Sequence, residues 1–338
     1  MNSAGLKIEL PNGIKEQNIP HQVDPMMALY SGLPANEDNY AFEYKWDGVR
    51  TIYFWDGINH RLQSRNLLDI SISYPELDAL AQHFPDTKVV LDGEIIAIDE
   101  HGKASFNLLQ HRFGIYDPKE ARKRAIHIPA VYMIFDILYF DKYSTMQVIY
   151  SQRRKLLESL ELNDKHWQVP PLSIGHGHAM LEAAAELHLE GVIAKRLNSF
   201  YEPGRRSGAW IKTKLVLSQE FVVGGWTTFK GDHLDMLGAL LLGYYEGERL
   251  IYAGAVGTGF TDADRRTIVE TLSPIRRNAS PFATPAARTD AIWVEPVVVA
   301  QIEFRGWTAQ DILRQPSFKG FRFDKDAKDV IKEIKLKG

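Results

Sequence analysis

The sequence predicts an α+β chain in two parts. A larger domain over residues 1–217 mixes antiparallel sheets with flanking helices, and a smaller strand-dominated domain covers residues 218–338. Three observations point there. The chain has 338 residues, about twice a typical domain of roughly 150. Apolar residues make up 45% and charged residues 25%, enough for two cores and too apolar for a disordered chain. Helical periodicity recurs up to Leu217 and nearly vanishes after it, where short apolar runs alternate with glycine-rich turns.

The opening stretch carries Pro11, Gly13, Pro20, Pro25, Gly32 and Pro34 and reads as an irregular arm laid over a core. Phe42 to Trp46 alternates apolar and polar residues, as a half-buried strand does. Val49 to Trp55 and Arg61 to Ser64 flank Asp56-Gly57, a hairpin signal. Tyr74 to Phe84 reads as a helix with Leu77, Leu80 and Ala81 on one face. Lys88 to Ile98 and Val131 to Leu138 are buried-strand runs, with a short helix at Phe106 to Arg112 between them. Ser151 to Leu160 is amphipathic through Leu156, Leu157 and Leu160, and His178 to Leu189 through Met180, Leu181, Ala184 and Leu187. Val192 to Lys195 and Ala209 to Lys212 return to strand. Beyond Leu217, Phe221 to Val223, Ala239 to Tyr245, Arg249 to Val256 and Ile292 to Phe304 are strands, interrupted by one helix at Asp262 to Leu272. That set fits a small barrel, with the five-stranded oligonucleotide-binding (OB) barrel as the candidate.

Composition excludes several chemistries. The absence of cysteine removes disulfides, thiolate zinc sites, iron–sulfur clusters and a cysteine nucleophile. No apolar run approaches the roughly 20 residues that a membrane helix needs. The start, MNSAGLKIELPNG, lacks the basic flank and apolar core of a secretory signal, so a cytoplasmic location is expected. With 40 Lys and Arg against 43 Asp and Glu the net charge is −3. A simple nucleic-acid sleeve is strongly basic, so nucleic-acid contact here would come from local patches.

Four segments can carry chemistry. In Glu43-Tyr44-Lys45-Trp46-Asp47-Gly48-Val49-Arg50, a lysine ends a strand beside a turn. Such an amine is a candidate nucleophile once it loses its proton, although a lysine beside a plain Asp-Gly turn is equally a solvated charge. Leu91-Asp92-Gly93-Glu94-Ile95-Ile96 puts acid inside an apolar strand, where a charge needs a partner such as a ribose or a metal; a hairpin with Glu94 at an edge is the plainer reading. Leu189-Glu190-Gly191-Val192 ends a helix at glycine and starts a strand beside a carboxylate. Trp210-Ile211-Lys212-Thr213-Lys214 alternates, so Lys212 and Lys214 share a strand face. They would hold an anion between them or protect an exposed edge. His176 and His178 lack supporting ligands and read as a loop into the next helix. No Gly-x-Ser-x-Gly nucleophile elbow occurs.

These segments, in this order, resemble the motifs of the covalent nucleotidyltransferases, and specifically of the ATP-dependent DNA ligases. Lys45 to Arg50 is similar to the Lys-x-Asp-Gly-x-Arg motif, Ser64-Arg65 to the Ser-Arg motif, and Asp92-Gly93-Glu94 to the third. Ile134 to Leu138 resembles the adenine-stacking segment, Glu190-Gly191-Val192 the fourth motif and Trp210 to Lys214 the fifth. Leu313 to Phe318 with Phe321 to Lys325 resembles the last. The resemblance runs from about Met26 to Lys325, and seven motifs in order are far more specific than any one.

The resemblance implies an adenylation (nucleotidyltransferase) domain followed by an OB-fold domain, and it implies roles. Lys45 would attack the α-phosphate of ATP and carry AMP. Lys212 and Lys214 would neutralise phosphate charge. Glu94 and Glu190 would hold ribose hydroxyls and a divalent metal, Mg²⁺ or Mn²⁺. Phe135 would stack on adenine and Glu43 would border the base. Arg50 and Arg65 would contact ribose and phosphates, with Arg65 later meeting the DNA 5′-phosphate, and Arg206 would contact the nucleotide. Arg314, Arg322 and Lys325 would orient pyrophosphate. The implied partner is nicked or broken duplex DNA, with a Ku-type end-binding protein as a further candidate, and the implied state is a monomer. The short, cysteine-free chain does not resemble the NAD⁺-dependent ligases. GTP-using capping enzymes, RNA ligases and a non-catalytic OB module are the alternatives. Gly238 to Phe260 is similar to the ligase domain of bacterial end-joining enzymes, which suggests a stand-alone bacterial repair ligase.

Overall fold

Which residues can hide their apolar faces decides the layering. The computed structural model describes residues 16–100, 102–228, 236–286 and 290–334; Pro11 and Gly13 of the expected arm lie outside them. The described residues divide into two compact units between Leu215 and Val216.

In the first unit, β1 (Met27–Tyr30), β2 (Tyr40–Tyr44), β3 (Val49–Trp55), β4 (His60–Ser64) and β5 (Val89–Ala97) precede the short helix α1 (Phe106–Leu109) and α2 (Pro118–His127). Then come β6 (Ala130–Phe140), β7 (Tyr143–Ser144), α3 (Tyr150–Ser159), β8 (Trp167–Gln168), β9 (Ser173–Ile174), α4 (Gly177–Glu186), β10 (Gly191–Arg196) and β11 (Arg206–Lys214). They form two sheets. The first has the order β4-β3-β5-β6-β7 with β8 beside β6, and the second has the order β1-β11-β10-β2-β9. All pairings are antiparallel except β8 on β6 and β1 on β11.

Period-2 burial sorts each sheet into two faces. Tyr53, Leu91, Ile95 and Ile134 pack under Leu77, Leu80, Leu156 and Leu157. From the other face of that sheet, Ile52, Phe54, Val90, Phe135 and Leu138 meet Ala209 and Trp210 of the second sheet and Met26, just before β1. The far face of the second sheet, with Phe42, Val192 and Ala194, is closed by Ala184, Met180 and Leu181 of α4. The charges inside this unit are paired. Asp136 and Arg153 are both fully buried, with Arg153 Nε 2.7 Å from Asp136 Oδ1.

Four features differ from the sequence expectation. Pro75–His83 is a 3-10 helix; Leu77 and Leu80, three residues apart and both buried, suit its three-residue turn. The arm is not irregular throughout, since Met27–Tyr30 joins the second sheet beside β11. The helix α2 buries only Ala121, so no apolar stripe announces it, although Asp117 caps it and Pro118 opens it. The Asp92-Gly93 pair is no hairpin but lies mid-strand in β5, where a Cβ on Gly93 would sit 2.4 Å from the Tyr132 ring.

The second unit has β12 (Leu217–Thr228), β13 (Leu237–Glu246), β14 (Arg249–Val256), α5 (Asp262–Leu272), β15 (Arg276–Arg277), β16 (Ala291–Phe304), β17 (Gly306–Trp307), β18 (Leu313–Arg314) and β19 (Ser317–Phe321). Its main sheet is antiparallel, ordered β14-β13-β12-β16-β15 with β19 on β16. A single core holds Phe221, Leu241, Val299 and Ile302, and α5 adds Ile268 and Leu272. Thr261 and Asp264 close the start of α5 as a capping box. Among the described residues, no helix is long and apolar enough to cross a membrane.

Arg112 is the test of the packing behind the first sheet. It is fully buried, donates to both Glu76 oxygens at 2.9 Å and to the Ile128 carbonyl at 2.6 Å, and also reaches the Ser73 carbonyl. Arg112→Ala would leave the Glu76 carboxylate buried and unpaired, at a cost of about 3–5 kcal/mol. Urea unfolding should show that loss; a drop under about 1 kcal/mol would mean that water reaches the site.

Candidate active site

Strand alternation on the second sheet collects the candidate residues on one face. Ile193 pairs with Glu43 on one side and Lys212 on the other, while Lys195 pairs with Trp210. Side chains two residues apart share a face, so Glu43, Lys195, Trp210, Lys212 and Lys214 point together towards the first sheet. Lys45 follows β2 immediately, and its N–H donates to the Gly191 carbonyl at 2.9 Å. Glycine is required at both chain crossings here. A Cβ on Gly191 (φ +150°) would sit 2.0 Å from the Thr213 carbonyl, and one on Gly48 would sit 2.1 Å from the Ile95 carbonyl.

The centre is Glu190. It accepts from Lys45 Nζ, and Lys214 Nζ lies 3.4 Å from its other oxygen. Burial pushes the Glu190 pKa up, but Lys45, Lys214 and Lys212 outweigh it and hold the carboxyl below its usual value. The Lys45 side chain keeps 21% exposure, so it is reachable from solvent while Glu190 is largely covered.

A second cluster lies deeper. Glu43 is 3% exposed. It accepts from Tyr150 O–H and from Lys195 Nζ at 2.8 Å, with Arg154 Nη1 at 3.6 Å. Burial pulls the Lys195 pKa down, and Glu43 and Asp136 only partly restore it. Lys195 Nζ also donates to the Phe135 carbonyl at 3.2 Å and sits 4.2 Å from that ring's centroid. Phe135 carries Arg50 at 4.7 Å as well. Arg50 is held by a bidentate pair with Asp92, at 2.5 and 2.6 Å, and Tyr201 O–H donates to the same carboxylate at 2.8 Å.

At the edge of the face, Arg65 and Arg206 converge. Arg65 Nη2 is 3.5 Å from the Met27 sulfur and Arg206 Nη2 is 3.7 Å from it. Neither has a carboxylate partner among the described residues. Glu94 lies on β5 opposite Arg50. Arg314 is exposed on β18. In the second unit Arg322 is buried and bound twice to Asp324 at 2.8 Å, and Lys325 Nζ pairs with Glu220 at 3.0 Å.

Of the residues singled out in the sequence, the structure brings Lys45, Glu190 and Lys214 together with Lys212 on the same face, and it sets Arg65 beside Arg206, a meeting the sequence did not announce. Sequence reasoning missed Lys195, Tyr150, Arg154, Asp92 and Tyr201. The register of Lys195 with Glu43's neighbours was the available signal, since both fall on the lysine face of the sheet. Asp92, not Glu94, is the fully buried acid of β5, and its partner is Arg50.

Comparison with known proteins gives the class. Residues 23–214 match the family model for the ATP dependent DNA ligase domain, and residues 233–325 that for the ATP dependent DNA ligase C terminal region. The chain belongs to the ATP-dependent DNA ligases, a nucleotidyltransferase-type unit followed by a ligase C-terminal region. Within that class it is 38% identical over 315 residues to the multifunctional non-homologous end joining DNA repair protein LigD of Mycobacterium tuberculosis, covering 91% of this chain and 40% of that protein. It is 36% identical over 327 residues to the LigD of Pseudomonas aeruginosa, covering 93% and 37%. The chain therefore spans about two-fifths of the length of these relatives. The solved structure of mycobacterial DNA ligase D complexed with ATP and MES is 36% identical, covers 92% of this chain and 98% of its own, and superposes with a TM-score of 0.68.

Glu190 ties the site to stability. Its carboxyl is depressed in the folded state, so its contribution is complete above the ordinary Glu value of about 4.3 and is lost as pH falls through the lower folded value. Glu190→Gln should remove that part of the acid dependence and flatten the low-pH limb of thermal stability. An unchanged limb in melting curves from pH 7 downward would show that the ion pairs do not form.

Proposed function

We propose that this chain seals nicks and breaks in duplex DNA with ATP, through a lysyl-AMP intermediate on Lys45, as the ligase of bacterial end joining in the cytosol, acting as a monomer with a Ku-type partner. The observation that carries this is Lys45 paired to Glu190 on the sheet face that also presents Lys212 and Lys214. Lys45, Lys212 and Lys214 gather around Glu190 on that face, and a cluster of cations there suits the phosphates of a nucleotide.

In the first step Lys45 Nζ attacks the α-phosphorus of ATP. The N–P bond forms, the bond to pyrophosphate breaks, and the amine proton departs. Lys212 and Lys214 stabilise the charge that gathers on the transferring phosphate. A 5′-phosphate oxygen of the nick then takes the adenylyl group and frees Lys45. The 3′-hydroxyl finally attacks the 5′-phosphorus and releases AMP. Arg65 and Arg206, converging without a carboxylate, suit the 5′-phosphate, since paired guanidiniums grip phosphate through several donors.

The base is read by Glu43 and Lys195. An acceptor beside a donor matches the adenine amino group and its neighbouring ring nitrogen, and both would be mismatched by guanine. Phe135 offers the stacking surface, and Arg50 or Lys195 must yield a ring face to the base. Arg50 and Glu94, neighbours across β3 and β5, would serve the ribose. The carboxylates of Glu190 and Glu94 suit a divalent metal, since Mg²⁺ ordinarily takes one or two carboxylates with phosphate oxygens. Glu190, with Glu94, would hold it, and it would neutralise phosphate charge. The C-terminal unit is read as an OB-fold domain from its antiparallel sheet and single capped helix, with Arg314, Arg322 and Lys325 serving the pyrophosphate end.

Incubation with α-labelled ATP and Mg²⁺ should leave a covalent label on a denaturing gel, absent in Lys45→Ala. An unlabelled wild-type chain would make it a non-catalytic binding module. Equal labelling from GTP would favour a capping-type enzyme. Glu43→Gln keeps the shape and alters one charged hydrogen bond, worth about 1.5–3 kcal/mol. The ATP-over-GTP ratio of labelling should therefore fall about 10-fold or more; an unaltered ratio would remove Glu43 from base choice.

A further inference from the structure

The helix α2 is the most basic exposed element of the first unit. In ten residues it carries Lys119, Arg122, Lys123 and Arg124 against Glu120 alone, in a chain whose net charge is −3. Arg124 is taken by Glu120, with Nε 2.7 Å from Oε1. Lys119 and Arg122 have no carboxylate partner among the described residues, and Lys123 feels Glu120 electrostatically without closing an ion pair on it. At about 100° per residue, Lys119, Arg122, Lys123 and Ile126 lie on one stripe, on the side away from Ala121, the helix's buried residue. The stripe faces solvent. Ile126 is 79% exposed, and Tyr116, one turn before Lys119, is 80% exposed. An apolar residue at each end of a cation row is an unusual solvated face, because large exposed apolar side chains gain nothing from water.

The helix is also held rigidly and in a telling place. Arg112 and Glu76 clamp the strand that follows it, through the Ile128 carbonyl and the Ala130 N–H. Ala130 pairs with Ala97 at the end of β5, and the next pair, Ile96 and Val131, underlies Trp46 beside the nucleophile. So α2 leaves the first sheet at the same end as the Lys45 loop.

Resting on the ligase reading above, we infer that the Lys119–Arg122–Lys123 face of α2 is a docking surface for the phosphate backbone of duplex DNA flanking the nick. Three exposed cations along one helical stripe, none closed in an ion pair, are complementary to a row of phosphates and make no demand on base sequence. The surface plays no part in self-adenylation, which needs no DNA.

The test is the triple variant K119A/R122A/K123A in the full chain. Alanine maintains the helix. Self-adenylation with labelled ATP should stay within about twofold of wild type, which verifies the fold and first step. Affinity for a nicked duplex should fall about 10-fold or more near 0.1 M salt, and the slope of log K against log salt should lessen by about 2 to 3, since each phosphate contact contributes about 0.9. The conservative variant K119R/K123R should retain the wild-type slope, because phosphate accepts either cation. A triple variant that binds and seals with wild-type affinity and slope would overturn the inference and mean that α2 meets another partner, such as an acidic protein. A wild-type chain that adenylates itself but neither binds nor seals any nick would overturn the ligase reading instead.

Discussion

The site depends on one electrostatic constraint: Glu190 has to sit between Lys45 and Lys214. Three lysines on neighbouring strands repel one another, and alternation offers them no other direction once their strands are in register. One buried carboxylate between Lys45 and Lys214 relieves part of that repulsion. Glu190 can reach the position because Gly191 lets β10 pass within contact of the Thr213 carbonyl. The chemistry therefore rests on a backbone approach that any side chain at residue 191 would block.

Behind that face the charges are matched rather than left over. Arg50 is bound by Asp92, Arg153 by Asp136, and Lys195 by Glu43. Buried pairs of this kind add little net stability over apolar replacements, but breaking one is costly. Their value here is geometric. Asp92 receives Arg50 and Tyr201, and Tyr201 in turn receives the Met26 N–H at 2.9 Å. A single carboxylate thus ties the first sheet to the stretch that enters β1, so the two sheets that wall in Phe135 share one set of bonds. Lys195 and Arg50, stacked on Phe135, complete that wall without filling it with bulk.

Much of this was legible in the residues. Two-residue alternation placed Lys212 and Lys214 together, and the glycine after Glu190 marked a strand start. The long apolar runs gave β5 and β6, and Asp262 to Leu272 is a helix over the very residues expected. What stayed hidden required partners distant in sequence. Nothing local says that Asp92 rather than Glu94 turns inward, because both neighbour Gly93 and the bulge beside it shifts the pairing register. Met27–Tyr30 is a strand through β11 alone, among prolines that suggest none. The α2 helix has end signals without a buried stripe, so a search for apolar periodicity passes over it. The meeting of Arg65 and Arg206 at Met27 joins the turn after β4 to β11 and β1, which no spacing in the sequence connects.

The cations of the second unit follow a different logic from those of the first. Lys325 faces Glu220 across 3.0 Å, and the Glu220 side chain keeps 23% exposure. Exchanging that partner for a phosphate replaces one anion by another and returns Glu220 towards water, a small net change. Arg322 differs, because its two bonds go to an Asp324 side chain only 3% exposed. Leaving Asp324 would strand a buried carboxylate. Of the two, Lys325 is the cation whose release strands no fully buried partner, while Arg322 is fixed on Asp324.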